Sequence, residues 1–373
     1  MGSSEGAGAG RPRAPRGRRP AAEALEGRCV LSGVTITEFP VPNPQSTPSG
    51  ITPGPDGNVW FTDPTGDGLN NPSVDKITPS GVVTEYPLPS PSAYPYSIIP
   101  GPDKNLWFTD EGTNSIGKIT TSGVVTEYPI PTPNGEPGSI TFGLDGNLWF
   151  TELNSDKVAK ITTAGVITEY PVPTPNAEPS GISPGPDKNV WFTETNADKI
   201  GKITPSGVVT EYPIPTPNGG PALITFGLDG NMWFTEQNAN KVAKITTAGK
   251  VTEFATPTPN SGPIGIAPGP DGDVWFTESN ANKVASITPK GRITEYATPT
   301  PNSTPFQIAP GPDGNMWFTE ISAGKVGRVN LPNQGAYSSQ TAGSSSAEDP
   351  TSEEVAMPPE LLTPYYLNKK PQS

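Results

Sequence analysis

One short segment recurs along the whole chain and limits the fold more than any other feature of the sequence. It reads "GPDGNVWFTD" at residues 54–63, and variants such as "GPDKNVWFTE" and "GLDGNMWFTE" follow. All seven tryptophans lie in this segment: Trp60, Trp107, Trp149, Trp191, Trp233, Trp275 and Trp317. The first spacing between them is 47 residues and the five later spacings are each 42, and a second marker, "TEY" or "TEF", repeats with the same spacings. The chain is therefore an array of seven units, the first of which carries a five-residue insertion.

Each unit is predicted to form four short strands. In the fourth unit these are "SGIS" (180–183), "NVWFTE" (189–194), "KIGKIT" (199–204) and "VVTEYPI" (208–214), separated by turns rich in Pro, Gly, Asn and Asp. Four strands in a unit of this length are typical of a β-propeller blade. The sequence thus predicts an all-β fold, a seven-bladed β-propeller of four-stranded blades.

The two ends of the array predict how the ring closes. The seventh unit ends at "KVGRVN" (325–330) without a fourth strand, whereas "GVTITEFPVP" (33–42) is a fourth-strand sequence with no blade before it. Pairing of the N-terminal strand with the last blade would complete that blade and close the ring. Because a closed ring leaves no open interface between terminal blades, we expect a monomer.

The propeller is predicted to cover residues 33–330. Residues 1–32 are predicted to be a disordered basic arm or leader, and residues 331–373 a disordered acidic tail rich in Ser and Pro, since neither segment can bury a core. The stretch "EALEGRCVLSG" (23–33) resembles a short leader found before many exported planctomycete proteins. That resemblance implies an extracellular or cell-envelope location; the alternative is a disordered basic arm.

Composition excludes several classes of function. The net charge is −13 and the basic residues of the repeats are spread singly, so we expect no nucleic-acid partner. No apolar run approaches the roughly 18 residues of a membrane span. The single Cys29 excludes an internal disulfide framework. The chain has no histidine, which removes the commonest general base and the commonest transition-metal ligand.

Positions that differ between units are the best candidates for a site, because residues shared by all seven blades are explained by blade packing. The differences concentrate in the segment before each innermost strand. Innermost strands line the central channel, so these residues should surround one of its mouths, with aromatic and acidic members on different blades. An uneven, partly aromatic mouth is typical of a small-ligand site; the alternative is a variable solvated loop. The predicted ligand-binding residues are Tyr94, Tyr96, Glu136, Glu178, Ile264 and Phe306.

The repeat also resembles a known family. The stretch "GPDKNVWFTETNADKIGKITPSGVVTEYPIPTPN" (185–218) is similar to repeats of the virginiamycin B lyase, or streptogramin lyase, family, and the resemblance extends over residues 33–330. It implies an antibiotic-resistance lyase that opens a cyclic depsipeptide by carbon–oxygen elimination, with a histidine base and a Mg²⁺ ion. The family's histidines follow the proline before the innermost strands of blades six and seven, where this chain has Ile264 and Phe306.

Neither of these two side chains can take a proton or polarise a carbonyl. The sequence therefore favours a propeller that binds a small molecule, peptide or glycan at its mouth, with catalysis lost. One alternative is an active streptogramin B lyase with a non-histidine base such as Glu136 or Glu178. Another is a structural or protein-docking propeller that uses the Pro-rich outer edges, "YPIPTPN".

The insertion in the first unit suggests a metal site. The stretch "DPTGDGLNN" (63–71) places Asp63, Asp67 and Asn70 among glycines, a composition that can surround a hard cation such as Ca²⁺ with oxygen ligands. It lacks the EF-hand spacing, and the alternative is a flexible acidic turn. The residues alone require no cofactor, and Mg²⁺ is implied only by the family resemblance.

Overall fold

The chain folds as the sequence predicts, into a ring of small antiparallel sheets. The computed structural model describes residues 33–66 and 71–332. Within these ranges, 28 strands form seven four-stranded sheets, and the one helical element is a short 3₁₀ turn, Ile321–Ala323. No helix of the described part is long and apolar enough to cross a membrane. The predicted arm and tail lie outside the described residues.

The first four blades follow one another along the chain, each with its innermost strand first. The first strand of the chain, β1 (Thr35–Pro40), belongs to blade seven. Blade one consists of β2 (Ile51–Pro53), β3 (Val59–Asp63), β4 (Ser73–Ile77) and β5 (Val83–Pro87), and blade two of β6 (Pro95–Pro100), β7 (Leu106–Asp110), β8 (Ser115–Ile119) and β9 (Val125–Pro129). Blade three consists of β10 (Pro137–Phe142), β11 (Leu148–Glu152), β12 (Lys157–Ile161) and β13 (Ile167–Pro171), and blade four of β14 (Pro179–Pro184), β15 (Val190–Glu194), β16 (Lys199–Ile203) and β17 (Val209–Pro213).

The last three blades repeat the same order. Their strands are β18 (Pro221–Phe226), β19 (Met232–Glu236), β20 (Lys241–Ile245) and β21 (Val251–Ala255) of blade five; β22 (Pro263–Pro268), β23 (Val274–Glu278), β24 (Lys283–Ile287) and β25 (Ile293–Ala297) of blade six; and β26 (Pro305–Pro310), β27 (Met316–Glu320) and β28 (Lys325–Asn330) of blade seven. The four strands predicted for the fourth unit agree with β14 to β17 to within one residue at each end.

The N-terminal strand closes the ring as predicted. Strand β1 pairs antiparallel with β28, from Thr35 opposite Asn330 to Pro40 opposite Lys325. The Glu38 carboxylate of β1 accepts hydrogen bonds from the Lys325 ammonium at 2.7 Å and from the Thr300 backbone N–H at 2.8 Å. The first and last strands of the propeller therefore share one sheet and leave no open edge between terminal blades.

The recurring segment builds the turn between the first two strands of every blade. In blade four, Asp187 Oδ1 accepts a hydrogen bond from Trp191 Nε1 at 3.0 Å and one from the Asn189 backbone N–H at 3.3 Å. A side chain on Gly185 would come within 2.4 Å of the Trp191 ring, so glycine is needed there. The same indole–carboxylate bond recurs between Asp56 and Trp60, Asp103 and Trp107, Asp145 and Trp149, Asp229 and Trp233, Asp271 and Trp275, and Asp313 and Trp317. These aspartates are structural, as expected.

The core lies between blades. Successive strand residues point to opposite faces, so Trp191 packs towards blade five with Phe234, whereas Phe192 packs towards blade three with Trp149. All four side chains are fully buried. The Trp–Phe pairs are therefore core residues that join each blade to both of its neighbours.

A ring of threonines ties the innermost strands together near the end where they begin. Thr193 Oγ1 accepts a hydrogen bond from the Gly181 N–H of its own blade at 2.8 Å and donates to the Ala222 carbonyl of the next blade at 2.7 Å. All seven blades repeat the bond to the next blade, and Thr319 completes the ring by donating to the Ser49 carbonyl at 2.8 Å. The backbone of the predicted mouth is thus fixed from two sides at every blade.

Candidate functional site

The central channel is too small to hold a typical small-molecule ligand by itself. The innermost strands enclose a cavity of about 90 Å³, whose polar lining includes Ser97, Ser139, Thr141 and Gln307 among isoleucines. That volume is well below the ~300 Å³ of a typical small-molecule pocket. A ligand larger than a few water molecules would therefore have to contact the rim of the channel, where the innermost strands begin.

Two of the predicted residues meet on this rim. The Tyr96 and Phe306 rings lie edge to face, with centroids 6.0 Å apart, although blade one separates their blades. Blade one offers no bulky side chain there: it has Ser49 and Gly50, and a side chain on Gly50 would come within 2.4 Å of the Tyr96 carbonyl. The structure thus brings Tyr96 and Phe306 together, as a joint aromatic surface over blade one.

Tyr94 lies beside this surface and is 48% exposed. Its backbone N–H donates to Asp110 Oδ1 at 2.7 Å, and its carbonyl accepts from the Glu111 N–H at 3.1 Å. Burial, together with the negative charge of Glu111, raises the pKa of the Tyr94 phenol. Burial also raises the pKa of the Tyr96 phenol, which is more buried, and the charge of Glu111 and the neighbouring Tyr94 phenol add to this increase. Both phenols therefore stay protonated at neutral pH and can donate hydrogen bonds.

Glu111 is a further candidate residue, which the comparison of units did not single out. Burial raises the pKa of its carboxyl to about 7, with further contributions from the negative charges of Glu136 and Asp110. Glu111 comes directly after the acid of the "WFT" segment. The residues at the equivalent position in the other six blades are uncharged: Pro64, Leu153, Thr195, Gln237, Ser279 and Ile321. Comparing the units at this position would have singled it out. We refer to Tyr94, Tyr96, Glu111 and Glu136 as the acidic group; it spans blades two and three.

The predicted acids Glu136 and Glu178 share an unusual backbone. Their φ angles are 54° and 53°, and the equivalent Thr304 of blade seven has φ 54°. Glycine, which adopts this left-handed conformation most easily, occupies the same place in blades five and six, as Gly220 and Gly262. Three blades therefore keep a side chain where the backbone favours glycine, and such strain tends to persist at functional sites.

The two glutamates are not equally placed. The Glu136 carboxylate accepts a hydrogen bond from the Asn154 amide, and Glu178 accepts one from Asn196. Glu136 is close enough to Glu111 to raise its pKa. Within the described residues, no hydrogen bond or ring contact links Glu178 or Ile264 to the acidic group. The structure therefore gathers four of the six predicted residues into two adjoining groups and leaves Glu178 and Ile264 apart from them on the rim.

Blades six and seven carry the two positions at which the family resemblance implies histidines. Ile264 and Phe306 stand where that resemblance places histidines, and their carbonyls are engaged by the threonine ring. On these blades Gly262, Ser279 and Thr304 carry no carboxylate, whereas Glu278 and Glu320 stand opposite the prolines that begin the innermost strands and are fully buried. Magnesium binding, which the family resemblance implies, stays a prediction for this chain.

The structure covers part of the loop for which the sequence suggests a metal site. Asp63 Oδ1 accepts hydrogen bonds from the backbone N–H groups of Thr47 at 3.2 Å, Thr65 at 3.1 Å and Gly66 at 3.0 Å. This oxygen therefore caps a turn. The other two residues, Asp67 and Asn70, lie outside the described residues, so calcium binding by this loop stays a prediction.

Comparison with known proteins identifies relatives of this architecture. A sequence model of the virginiamycin B lyase family matches residues 21–179 and 133–348. A streptogramin B lyase structure shares 40% identity and a TM-score of 0.75, covering 80% of this chain and 98% of its own. The virginiamycin B lyase from Staphylococcus aureus shares 39% identity and a TM-score of 0.75, covering 80% of this chain and 100% of its own.

A third structure carries direct functional information about that relative. It is a catalytically inactive histidine-to-alanine variant of the Staphylococcus aureus enzyme with quinupristin, at 38% identity and a TM-score of 0.76, covering 80% of this chain and 100% of its own. A search of curated protein sequences finds no match. The family match and these alignments agree with the repeat, the blade count and the closure, and this chain therefore belongs to the virginiamycin B lyase family.

Proposed function

We propose that this protein binds a small molecule, peptide or glycan at the channel mouth and does not perform the histidine-based elimination associated with its family. One observation carries the proposal. The rim combines an aromatic surface, Tyr96 with Phe306, and the adjoining acidic group, whereas the family's histidine positions hold Ile264 and Phe306. We further propose that the protein acts as a monomer.

The chemistry of the rim sets the kind of ligand. Tyr96 and Phe306 offer aromatic area, while the phenol of Tyr94 and the carboxyls of Glu111 and Glu136 offer hydrogen-bond donors and acceptors beside it. Small-ligand sites typically join such an apolar surface to a few convergent polar groups. We therefore expect a ligand with both an apolar ring or chain and a polar group.

A second candidate function is retained elimination with a carboxylate base. Glu111 favours it, because a carboxyl whose pKa is raised to about 7 has the proton affinity that a general base needs near neutral pH. In that case Glu111 would take the proton beside the ester carbonyl and Tyr94 or Tyr96 would donate a hydrogen bond to the developing negative charge. This chemistry would occur on blades two and three and not on blades six and seven.

Export remains part of the proposal. It is supported by the stretch at residues 23–33, which resembles a planctomycete export leader and lies, except for Gly33, outside the described residues. Detection of the protein in the extracellular or cell-envelope fraction of its source cells, with an antibody against the propeller, would test it; a purely cytoplasmic signal would contradict it.

Binding at the mouth can be tested with a defined panel of probes. Short peptides, oligosaccharides and quinupristin would be screened against the full chain by ligand-observed NMR, and hits titrated by calorimetry. For a hit, we expect Tyr96→Ala to weaken affinity at least about tenfold, because an aromatic anchor is lost, and Glu178→Gln to weaken it less. Val124→Ala, at an exposed outer turn, is the control and should change nothing.

The outcomes separate the alternatives. Unchanged affinity in both rim variants would place the site elsewhere and contradict the proposal. Loss of affinity only after substitutions in the Pro-rich outer edges would favour a docking propeller instead.

A further inference from the structure

The wall of the central channel consists largely of backbone. In each blade, the isoleucine three residues before the first glycine of the recurring segment lines the cavity: Ile51, Ile98, Ile140, Ile182, Ile224, Ile266 and Ile308. The side chains of all seven, however, pack into the core clusters between blades. What these residues present to the channel is therefore their peptide groups.

The strand register turns these peptide groups inward. In blade three, the Gly143 N–H donates to the Asn147 carbonyl at 2.8 Å. Because hydrogen-bonded pairs alternate along an antiparallel ladder, Thr141 bonds to the second strand and Ile140 does not. The Ile140 N–H donates instead to the Ser97 hydroxyl of blade two, at 3.3 Å. The glycine bond recurs in every blade, and each innermost strand is the last of its sheet, so the other six isoleucines face the channel in the same way.

The side chains one residue closer to the mouth make this wall uneven. The residue before the isoleucine is polar in blades two, three and seven, leucine in blade five and glycine in the other three: Ser97, Ser139, Gln307, Leu223, Gly50, Gly181 and Gly265. Packing between similar blades requires no such difference. The polar residues of blades two and seven directly follow Tyr96 and Phe306. The polar part of the channel therefore begins beneath the aromatic surface of the rim.

One of these polar side chains has no hydrogen-bond partner. Ser139 lines the cavity and is only 6% exposed, and its Oγ is unpartnered among the described residues. Ser97, at the same place in blade two, bonds to the Ile140 N–H of the next blade. Since buried hydroxyls are nearly always hydrogen-bonded, the Ser139 hydroxyl is suited to bind a group that enters the channel.

The lining of the cavity favours a neutral group. Among the described residues, none of the side chains that line it is ionisable. A carboxylate or an ammonium would lose its hydration there without meeting an opposite charge. The peptide groups, the serine hydroxyls and the Gln307 amide offer both hydrogen-bond donors and acceptors. The best match is thus a neutral group that can both donate and accept.

We propose that the end of the channel nearest the rim binds one terminus of the ligand, and that this terminus is an alcohol hydroxyl or a primary carboxamide held by Ser139. This inference rests on ligand binding at the mouth, as proposed above, and narrows the ligand to molecules with such a group, such as a glycan with a free hydroxymethyl or an amidated peptide. Because the cavity is only about 90 Å³, the rest of the ligand would stay on the rim, against Tyr96 and Phe306.

The test is an NMR titration of the labelled full chain with acetamide, and with acetate at the same pH and ionic strength as its charged counterpart. The backbone amide signals of Ser139 and Ile140 report on the channel, and that of Val124, on an exposed outer turn, is the reference. We expect saturable shifts of the two channel signals with acetamide and none with acetate.

Ser139→Ala should lower the acetamide affinity about threefold or more, since one neutral hydrogen bond is lost. The variant should fold, because three other blades have glycine at this place. Ser122→Ala, the same change on an exposed outer turn, is the control and should leave the acetamide affinity unchanged.

The same variant connects the channel to a ligand of the rim. A hit with a terminal hydroxyl or primary amide would be compared with its methyl ether or its dimethylamide, neither of which can donate. We expect Ser139→Ala to weaken binding of the parent molecule and to leave binding of the capped analogue unchanged.

Three results would overturn the proposal: no shift with acetamide, acetate binding as tight as that of acetamide, or an acetamide affinity that is the same in Ser139→Ala as in the wild type. The acetamide titration requires no rim ligand. A rim ligand that responds to Tyr96→Ala, found together with one of these three results, would therefore overturn the channel site and leave the proposed function intact.

Discussion

The rings of Tyr96 and Phe306 touch across blade one, edge to face, with their centroids 6.0 Å apart. The contact exists because blade one contributes only Ser49 and Gly50 to that part of the rim. It also places an aromatic ring at one of the two positions where the family resemblance implies histidines, so the surface there is apolar. The rim's ionisable side chains lie instead on blades two to four, with Glu111 and Glu136 close together.

The proximity of Glu111 and Glu136 can be tested without any ligand. We expect the Glu111 carboxyl to titrate at about 7, followed by carbon-detected NMR of labelled protein. Substituting Glu136 by Gln removes a negative neighbour, which favours the charged form, so the pKa of Glu111 should fall. Burial, the larger cause, remains, so the pKa should stay above its ordinary value.

Glu178→Gln is the control for this titration, because Glu178 does not contribute to the shift of Glu111. Two results would contradict the proximity of Glu111 and Glu136. One is a wild-type Glu111 carboxyl that titrates near 4.5, and the other is a pKa of Glu111 that is unchanged in Glu136→Gln but changes in Glu178→Gln.

Relief of backbone strain at the rim should stabilise the protein. Thr304 has φ 54°, a conformation that costs a β-branched residue about 1 kcal/mol or more relative to glycine. Thr304→Gly should therefore raise the free energy of unfolding by about 1 kcal/mol, measured by chemical denaturation. Thr47 holds the same place in blade one outside the left-handed region, so Thr47→Gly should lower stability. A loss of stability in Thr304→Gly would show that the side chain contributes more than the backbone costs.

Stability should fall as the pH rises from about 5 to 8. Burial raises the pKa of the glutamate that follows "WFT" in five blades. The pKa is about 7 for Glu152, Glu278 and Glu320 in blades three, six and seven. It is about 8 for Glu194 and Glu236 in blades four and five. A carboxyl whose folded-state pKa is raised binds its proton more tightly in the folded state. Its contribution is complete below the unfolded pKa, near 4.5, and is lost as the pH passes the folded value.

Glu194→Gln should flatten this profile, because the amide needs no proton. At pH 8 we expect the variant to be more stable than the wild type by roughly 1 kcal/mol, and at pH 5 to differ little, measured by urea denaturation at both pH values. Equal slopes of stability against pH in the two proteins would contradict the raised pKa of Glu194.

The fold could be predicted almost completely from the sequence, because every blade repeats the same physical solution. Each blade repeats the turn aspartate that binds a tryptophan, as Asp187 binds Trp191, and this local pattern specifies the blade. The additional outer strand within residues 33–42 specifies how the ring closes. The site was only partly predictable. The segment before each innermost strand predicts Tyr94, Tyr96, Glu136 and Phe306 as candidates, but the contact between the Tyr96 and Phe306 rings across blade one could be found only from the structure.

The sequence analysis did not predict Glu111 as a candidate residue, because it lies at a position that the comparison of units did not cover. Glu111 follows a conventional core strand, and its importance comes from burial beside Glu136. The sequence did contain one usable signal for the rim backbone: Gly220 and Gly262 occupy the place of Glu136, which indicates a left-handed conformation there.

The loss of the family's reaction is tested most directly by exposing purified full-length protein to quinupristin with Mg²⁺ and following ring opening by chromatography and fragmentation mass spectrometry. The ring-opened product has the mass of the substrate, so retention and fragment pattern must distinguish them. We expect no product above a no-protein control, because Ile264 and Phe306 can neither remove the α-proton nor stabilise an enolate. Ring opening above that control, and its loss in Glu111→Gln, would contradict this account and assign the chemistry to a carboxylate base.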